Sequence, residues 1–247
     1  MINMSIFCQS KPYKIVAGDA LQGKLSHAYL LVCPDERNLR GFLKELACLI
    51  LGADRRAEDL IGREMYADCI ILPPPGGKFT VADARTVVDE SYILPVEGNK
   101  KLFVLDGVQD MNASAQNKLL KVLEEPPESV CFLLGAVNDF AVLSTVKSRA
   151  ERLDLQRFTD REIEKQLRED YPHRKDAAEI AAVSGGVWGR AQSLAEGGDV
   201  EKATEEAVLF AMNLSVSSAV TGARKYADRE KAAAFLTILR LVYRDIL

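Results

Sequence analysis

Residues 101–134 read KLFVLDGVQDMNASAQNKLLKVLEEPPESVCFLL, and the punctuation of this stretch decides the fold. Lys101-Leu-Phe-Val-Leu-Asp106 is a short apolar run ending on a carboxylate, which predicts a buried strand. Asn112 can cap a helix, and Ala115, Leu119, Val122 and Leu123 then recur on one helical face. Pro126-Pro127 stops that helix, because proline has no N–H to donate. Val130-Cys-Phe-Leu-Leu134 is a second apolar run. Two strands apolar on both faces, joined through a helix, predict parallel neighbours in a helix-covered sheet.

The alternation extends in both directions. Ala28-Tyr-Leu-Leu-Val-Cys33 reads as a strand, followed by a helix carrying Leu39, Phe42, Leu43, Leu46, Ala47 and Ile50 on one face and stopped by Gly52. Cys69-Ile-Ile-Leu72 is another strand, stopped by Pro73-Pro74-Pro75-Gly76-Gly77. Thr80 and Asp83 form a capping-box-like start for a helix whose face is read as Val81, Val88 and Tyr92. Downstream, a helix is expected from Phe140 to Lys147 and a short strand from Arg152 to Leu155. Function in such sheets gathers at the carboxyl ends of the strands, which points to Pro34, Asp106 and the segment after Leu134.

Past Phe158 the pattern turns helical. Thr159 and Glu162 make a capping box before a face of Ile163, Leu167 and Tyr171. A short helix from Asp176 to Ser184 ends at Gly185-Gly186, and another from Trp188 to Ala195 ends at Gly197-Gly198. Two further amphipathic helices are expected at roughly 201–213 and 228–247. The stripe of the last, from Phe235 to Ile246, suits either a core or burial against partner subunits.

Composition limits the function classes. The 247 residues carry 32 Lys+Arg against 36 Asp+Glu, a net charge of -4, with 48% hydrophobic and 28% charged residues. That is globular rather than disordered composition. No apolar stretch reaches the roughly 18–20 residues that span a bilayer, and the N-terminal stretch carries no secretory pattern. A cytoplasmic protein without membrane contact is expected. The acidic balance argues against gripping nucleic acid alone, since phosphate neutralisation needs a basic face. The five cysteines, Cys8, Cys33, Cys48, Cys69 and Cys131, include no Cys-x-x-Cys pair, and His27 and His173 are far apart. Buried thiols are expected, and no metal.

Asn117-Lys-Leu-Leu-Lys-Val-Leu-Glu-Glu-Pro-Pro127 resembles the segment after Walker B in bacterial clamp-loader ATPases of the AAA+ class. His27-Ala-Tyr-Leu is similar to the strand entering their P-loop, and Leu143-Ser-Thr-Val-Lys-Ser-Arg149 to their Ser-Arg-Cys segment, with Ala150 in the Cys position. Ser184-Gly-Gly-Val-Trp-Gly-Arg-Ala191 resembles the lid turn, and Leu241-Val-Tyr-Arg-Asp-Ile-Leu247 part of the collar. Within the class the resemblance is nearest to delta-prime-type members with a degenerate P-loop. It implies an α/β, parallel-sheet AAA+ (P-loop NTPase-like) domain over 1–157, a small helical lid over 158–198, and the start of a helical collar over 199–247. The collar of such subunits is longer, so a fragment or a shortened member with weak pentamer assembly is expected.

The phosphate chemistry can be read from the residues. A P-loop needs glycines whose N–H groups cradle phosphates, a Lys for the β/γ-phosphates and a Ser/Thr for magnesium. The equivalent stretch, Val32-Cys33-Pro34-Asp35-Glu36-Arg37-Asn38-Leu39-Arg40, has no Gly, and Leu39 and Arg40 replace Lys and Ser/Thr. Asp35 and Glu36 would repel a triphosphate. Gly76-Gly77-Lys78 is followed by Phe79 and suits a turn. By the resemblance, Asp106 keeps the first Walker B carboxylate, Gly107 replaces the water-polarising Glu, and Gly189 replaces a lid Arg. The zinc cysteines of active relatives are absent after Cys48. No nucleotide, cofactor or metal is expected.

Arg149 remains. The resemblance implies an arginine finger that enters a neighbour's ATP site, with Ser148 in support. By spacing alone it reads as a solvated arginine or a favourable charge at a helix C-terminus. Asp106 reads as a structural carboxylate at a strand end, and Lys118 and Lys121 either approach DNA phosphates or are solvated. Together these readings imply a non-catalytic clamp-loader subunit within a DNA polymerase III holoenzyme. Its implied partners are gamma/tau-type ATPase subunits and a delta subunit, with the sliding clamp and primed DNA reached through the assembled complex. The rival readings are a divergent active AAA+ ATPase and a DNA-binding adaptor outside the replisome.

Overall fold

A computed structural model describes residues 5–197 together with Leu236 and Leu239. Five parallel strands form one sheet: β1 (Ala28–Val32), β2 (Cys69–Leu72), β3 (Lys101–Asp106), β4 (Val130–Ala136) and β5 (Glu151–Asp154). Their order is β2-β3-β4-β1-β5, so every strand begins on one edge of the sheet and ends on the other. Registers run Leu30 to Leu134, Val104 to Leu133 and Ile70 to Phe103. β4 is buried along its whole length, as expected of a central strand covered on both faces.

The helices that cover the sheet start where short polar side chains catch the free N–H groups of a first turn. α1 (Lys11–Gln22) is capped by Ser10, α2 (Glu36–Leu51) by Asp35, α3 (Arg55–Gly62) by Asp54, and α5 (Ala113–Glu124) by Asn112. α4 (Val81–Ser91) has the full Thr80/Asp83 capping box. α1 and α2 end on left-handed glycines, Gly23 and Gly52. Leu39, Phe42, Leu43, Leu46, Ala47 and Ile50 are the buried face of α2. That face lies so close to β4 that a Cβ on Gly135 would come within 2.6 Å of Leu43 Cδ1. Around Phe103 and Phe132, stacked at 5.6 Å, β3 and β4 pack with Ala115, Leu119, Val122 and Leu123 of α5.

Two sequence expectations shift. The fully buried face of α4 is Ala84, Val87 and Ser91; Val81 and Val88 pack partly buried against the same core, while Tyr92 is an exposed C-cap and not part of the face. Only Ser144–Lys147 (α6) is helical where a helix from Phe140 was expected. The preceding loop has its backbone tied up by side chains: buried Gln116 donates to Ala141 O and accepts from Leu143 N. Phe140 consequently stands 92% exposed. Beyond α4, buried Asp68 accepts the N–H groups of Val96, Glu97 and Gly98 and fixes the loop that leads to β3. Lys101, read as part of an apolar strand, is buried against the carboxylate and carbonyl of Glu90.

The chain divides at Gln156/Arg157 into two compact units. In the second, α7 (Asp160–Asp170), α8 (Ala177–Ser184) and α9 (Trp188–Gly197) enclose Ile163, Leu167, Ile180, Ala181, Trp188 and Ala191. The Thr159/Glu162 capping box opens α7. Gly186 has φ +76, and a Cβ there would meet Phe158 O at 2.5 Å, so the Gly185-Gly186 turn tolerates no side chain. The helices read at 201–213 and 228–247 lie outside the described residues, apart from Leu236 and Leu239.

Candidate functional site: arginine clusters at opposite edges of the sheet

Asp106 is the last residue of β3, at the edge where the strands end. Its Oδ2 takes Nη1 of Arg40 at 2.9 Å. The same guanidinium forks onto Glu64, Nε to Oε1 at 2.8 Å and Nη2 to Oε2 at 2.7 Å, and Nη2 also donates to Pro73 O at 3.0 Å. Lys44, one turn along α2, reaches Glu64 Oε1 at 2.8 Å and Gly62 O at 2.9 Å. The bidentate geometry suits Arg and no other side chain. Hydrogen bonds from Arg40, aided by Lys44, hold the Glu64 carboxyl down to about 2, against an opposing push from burial. Glu64 takes a left-handed backbone, φ 61, to present its side chain.

The start of α2 is closed as well. Only Cys33, Pro34 and Asp35 separate β1 from α2. Asp35, 3% exposed, accepts from Asn38 N at 3.3 Å and from Asn38 Nδ2 at 2.9 Å. A helix N-terminus that could receive a phosphate here faces the chain's own carboxylate. The carboxylate that would meet magnesium faces the chain's own guanidinium. Sequence reading placed Arg40 and Asp106 but missed Glu64 and Lys44. The i, i+4 spacing of Arg40 and Lys44 was the available signal, but it leaves a solvated face equally open. Nothing local points to Glu64, which lies 24 residues away from Arg40.

Arg149 lies two residues before β5, at the edge where the strands begin. The last residue of α5, Glu124, is close to it: Arg149 Nη2 pairs with Glu124 Oε1 at 3.1 Å. Nη1 donates to Thr145 O at 2.9 Å and to Ser148 Oγ at 3.4 Å, while the Ser148 hydroxyl donates to Thr145 O at 3.1 Å. Ser148 and Arg149 are thus brought together. Arg149 and Asp106 are not, since the sheet separates the two edges. The approach to α6 is braced by Asp139, which accepts from Lys147 and Arg152. Lys118 and Lys121 are exposed on α5.

All five cysteines are free thiols, with Cys33, Cys69 and Cys131 buried. Burial pushes the Cys33 and Cys69 thiols up to about 12, so they pack as inert side chains. Among the described residues no group of three or more His, Cys, Asp or Glu is placed to hold a metal ion, and no helix is long and apolar enough to cross a membrane.

Solved structures share this architecture. A DNA polymerase III gamma subunit-related protein from Thermotoga maritima superposes with a TM-score of 0.51 at 20% identity, over 90% of this chain and 69% of that one. A point mutant of RuvB from the same organism also gives 0.51, at 13% identity, over 90% of this chain and 70% of that one. The parallel sheet, its strand order and these neighbours define an AAA+ α/β fold.

Sequence comparison narrows the class to a family. The family model described as "DNA polymerase III, delta subunit" matches residues 8–159, more than half of the chain, and the chain belongs to that family. The delta' subunit of Yersinia pestis is 30% identical over 149 residues, 56% of this chain and 44% of that protein. The delta' subunit of Bacillus subtilis is 28% identical over 170 residues, 64% and 51%. The tau subunit of Bacillus subtilis is 29% identical over 163 residues, 61% and 28%. The chain therefore aligns with about half or less of the length of these curated relatives.

Proposed function

We propose that this chain serves in a DNA polymerase III clamp loader as a subunit without nucleotide chemistry of its own, lending Arg149 to a neighbour's ATP site. The observation that carries the reading is the placement of the two arginines. Asp106 and the start of α2, where an AAA+ nucleotide would be held, are engaged by Arg40 and Asp35. Arg149 stands at the opposite edge of the same sheet, where it cannot serve a phosphate held at its own Asp106. An arginine so placed acts on another molecule or on none.

In the neighbour's site a guanidinium stabilises charge that develops on the transferring phosphoryl group, an effect worth about 10³–10⁵ in rate. Ser148 supports it by accepting from Nη1 and tying the turn to Thr145. The neighbours proposed are gamma/tau-type ATPase subunits and a delta subunit, with the sliding clamp and primed DNA met through the assembly. Residues 158–198 are proposed as a lid and 199–247 as the opening of a collar.

Calorimetry of ATP-Mg into the purified chain tests the inert half of this reading. No heat of binding is expected up to millimolar ATP, and micromolar affinity would restore the divergent-ATPase alternative.

A further inference from the structure

Arg149 is held by its own chain in a way that bears on when it can act. The edge of a guanidinium that forks onto a phosphate is formed by Nε and one Nη, or by the two Nη groups together. Here Nη1 is turned onto Thr145 O and Ser148 Oγ, and Nη2 is paired with Glu124. Nε is buried and finds no acceptor among the described residues. Both Nη groups are thus already engaged within the chain.

We propose that Glu124 is a positioning residue that parks Arg149, and that the finger leaves Glu124 when a neighbour's phosphates arrive. The inference rests on the reading of Arg149 as a finger and adds what controls it. Both ends of the contact are fixed to the core. Glu124 ends α5, whose Leu119, Val122 and Leu123 are buried, and Arg149 follows α6, held by buried Val146. The contact is nonetheless weak by construction. Glu124 is 59% exposed, so water screens the pair and takes over the carboxylate when it is released. A triphosphate carries more charge than one carboxylate, and a phosphate oxygen gives the buried Nε the acceptor it lacks. The parked state thus neutralises the guanidinium until a more highly charged anion is presented to it.

The test uses the loader assembled with the ATPase subunits of the same source. ATP hydrolysis is measured with and without clamp and primed DNA for the wild type, Glu124→Gln, Arg149→Ala and the double variant. Glu124→Gln is expected to raise the unstimulated kcat about two- to fivefold, the range a screened surface pair can supply. The KM for ATP and the stimulated rate stay unchanged, and the rise disappears in the double variant. Glu124→Ala should repeat the result, and melting of each isolated chain checks folding.

If Arg149→Ala depresses the stimulated rate while Glu124→Gln leaves the unstimulated rate unchanged or lowers it, parking is wrong and the finger stands. A rise that persists without Arg149 also overturns parking. A stimulated rate untouched by Arg149→Ala overturns the finger reading itself, and parking with it.

Discussion

Arg40 and Arg149 belong to the same domain and differ little in exposure, 22% against 29% of the side chain, yet their partners set them apart. Arg40 spends its guanidinium on two carboxylates and a carbonyl, all drawn from other elements of the fold. Arg149 holds one exposed carboxylate and its own turn. Those differences separate a structural arginine from an available one. An arginine that joins α2, the end of β3 and the loop carrying Glu64 cannot leave without loosening the domain. One resting on a solvated glutamate can leave at small cost.

The largest expected effect is on rate. Arg149→Ala should lower the clamp- and DNA-stimulated ATPase of the assembled loader by at least about tenfold, with other sites in the ring limiting the full loss. Its melting temperature as an isolated chain should move by no more than about 2 °C, because it gives up a screened pair and exposed hydrogen bonds within its own turn. Arg40→Ala should show the reverse. Removing it strips Asp106 of its partner and leaves Glu64 to Lys44 alone, at a cost of about 2–3 kcal/mol, or roughly 5–10 °C in thermal melting. The loader ATPase at a temperature where the variant is folded should not change. If the two variants exchanged effects, the contrast drawn between them would be lost.

The same contrast was unevenly legible in the sequence. β1 to β4 were readable because each is a short, mostly apolar run with a sharp stop, and α2, α5 and α7 because capping residues and periodic apolar faces agree. The helix expected from Phe140 was misread because Gln116, 25 residues from Ala141, supplies the bonds that hold the loop open. α1 and α3 went unread, although Ser10 and Asp54 cap them as Asn112 caps α5. At the site, missing chemistry was visible and compensating chemistry was not. The absence of Gly-Lys-Ser/Thr can be seen in the single stretch from Val32 to Arg40. That Arg40 reaches Asp106 across 66 positions, and that Glu64 adopts φ 61 to meet it, depends on packing. Arg149 was legible as a residue type in a motif, while its pairing with Glu124 depends on packing.

Acid titration gives a smaller and independent test of the Arg40 cluster. Glu64 has its carboxyl held near 2, below the ordinary carboxylate value. A depressed carboxylate contributes stability that is complete above its unfolded value of about 4.3 and is lost as pH falls through the folded one. Chemical denaturation between about pH 5 and 2 should therefore show an acid limb that is flatter in Arg40→Ala than in the wild type. An acid limb of equal steepness in both would detach Glu64 from Arg40. Smaller again is the cap at Asp35. Asp35→Ala should cost about 1 kcal/mol by freeing the first turn of α2, without conferring ATP binding, since no glycine loop is restored.

The central claim is that one edge of this sheet is closed to nucleotide while the other supplies an arginine to a neighbour. Single-turnover ATP hydrolysis in the assembled loader, with Arg149→Ala and Arg149→Lys introduced in this chain alone, tests it most directly. The account predicts that both variants assemble and bind ATP as the wild type does, and that both hydrolyse it slowly at the adjoining site. Lysine should rescue little, because a point charge does not replace a planar fork. Wild-type hydrolysis in both variants would contradict the account.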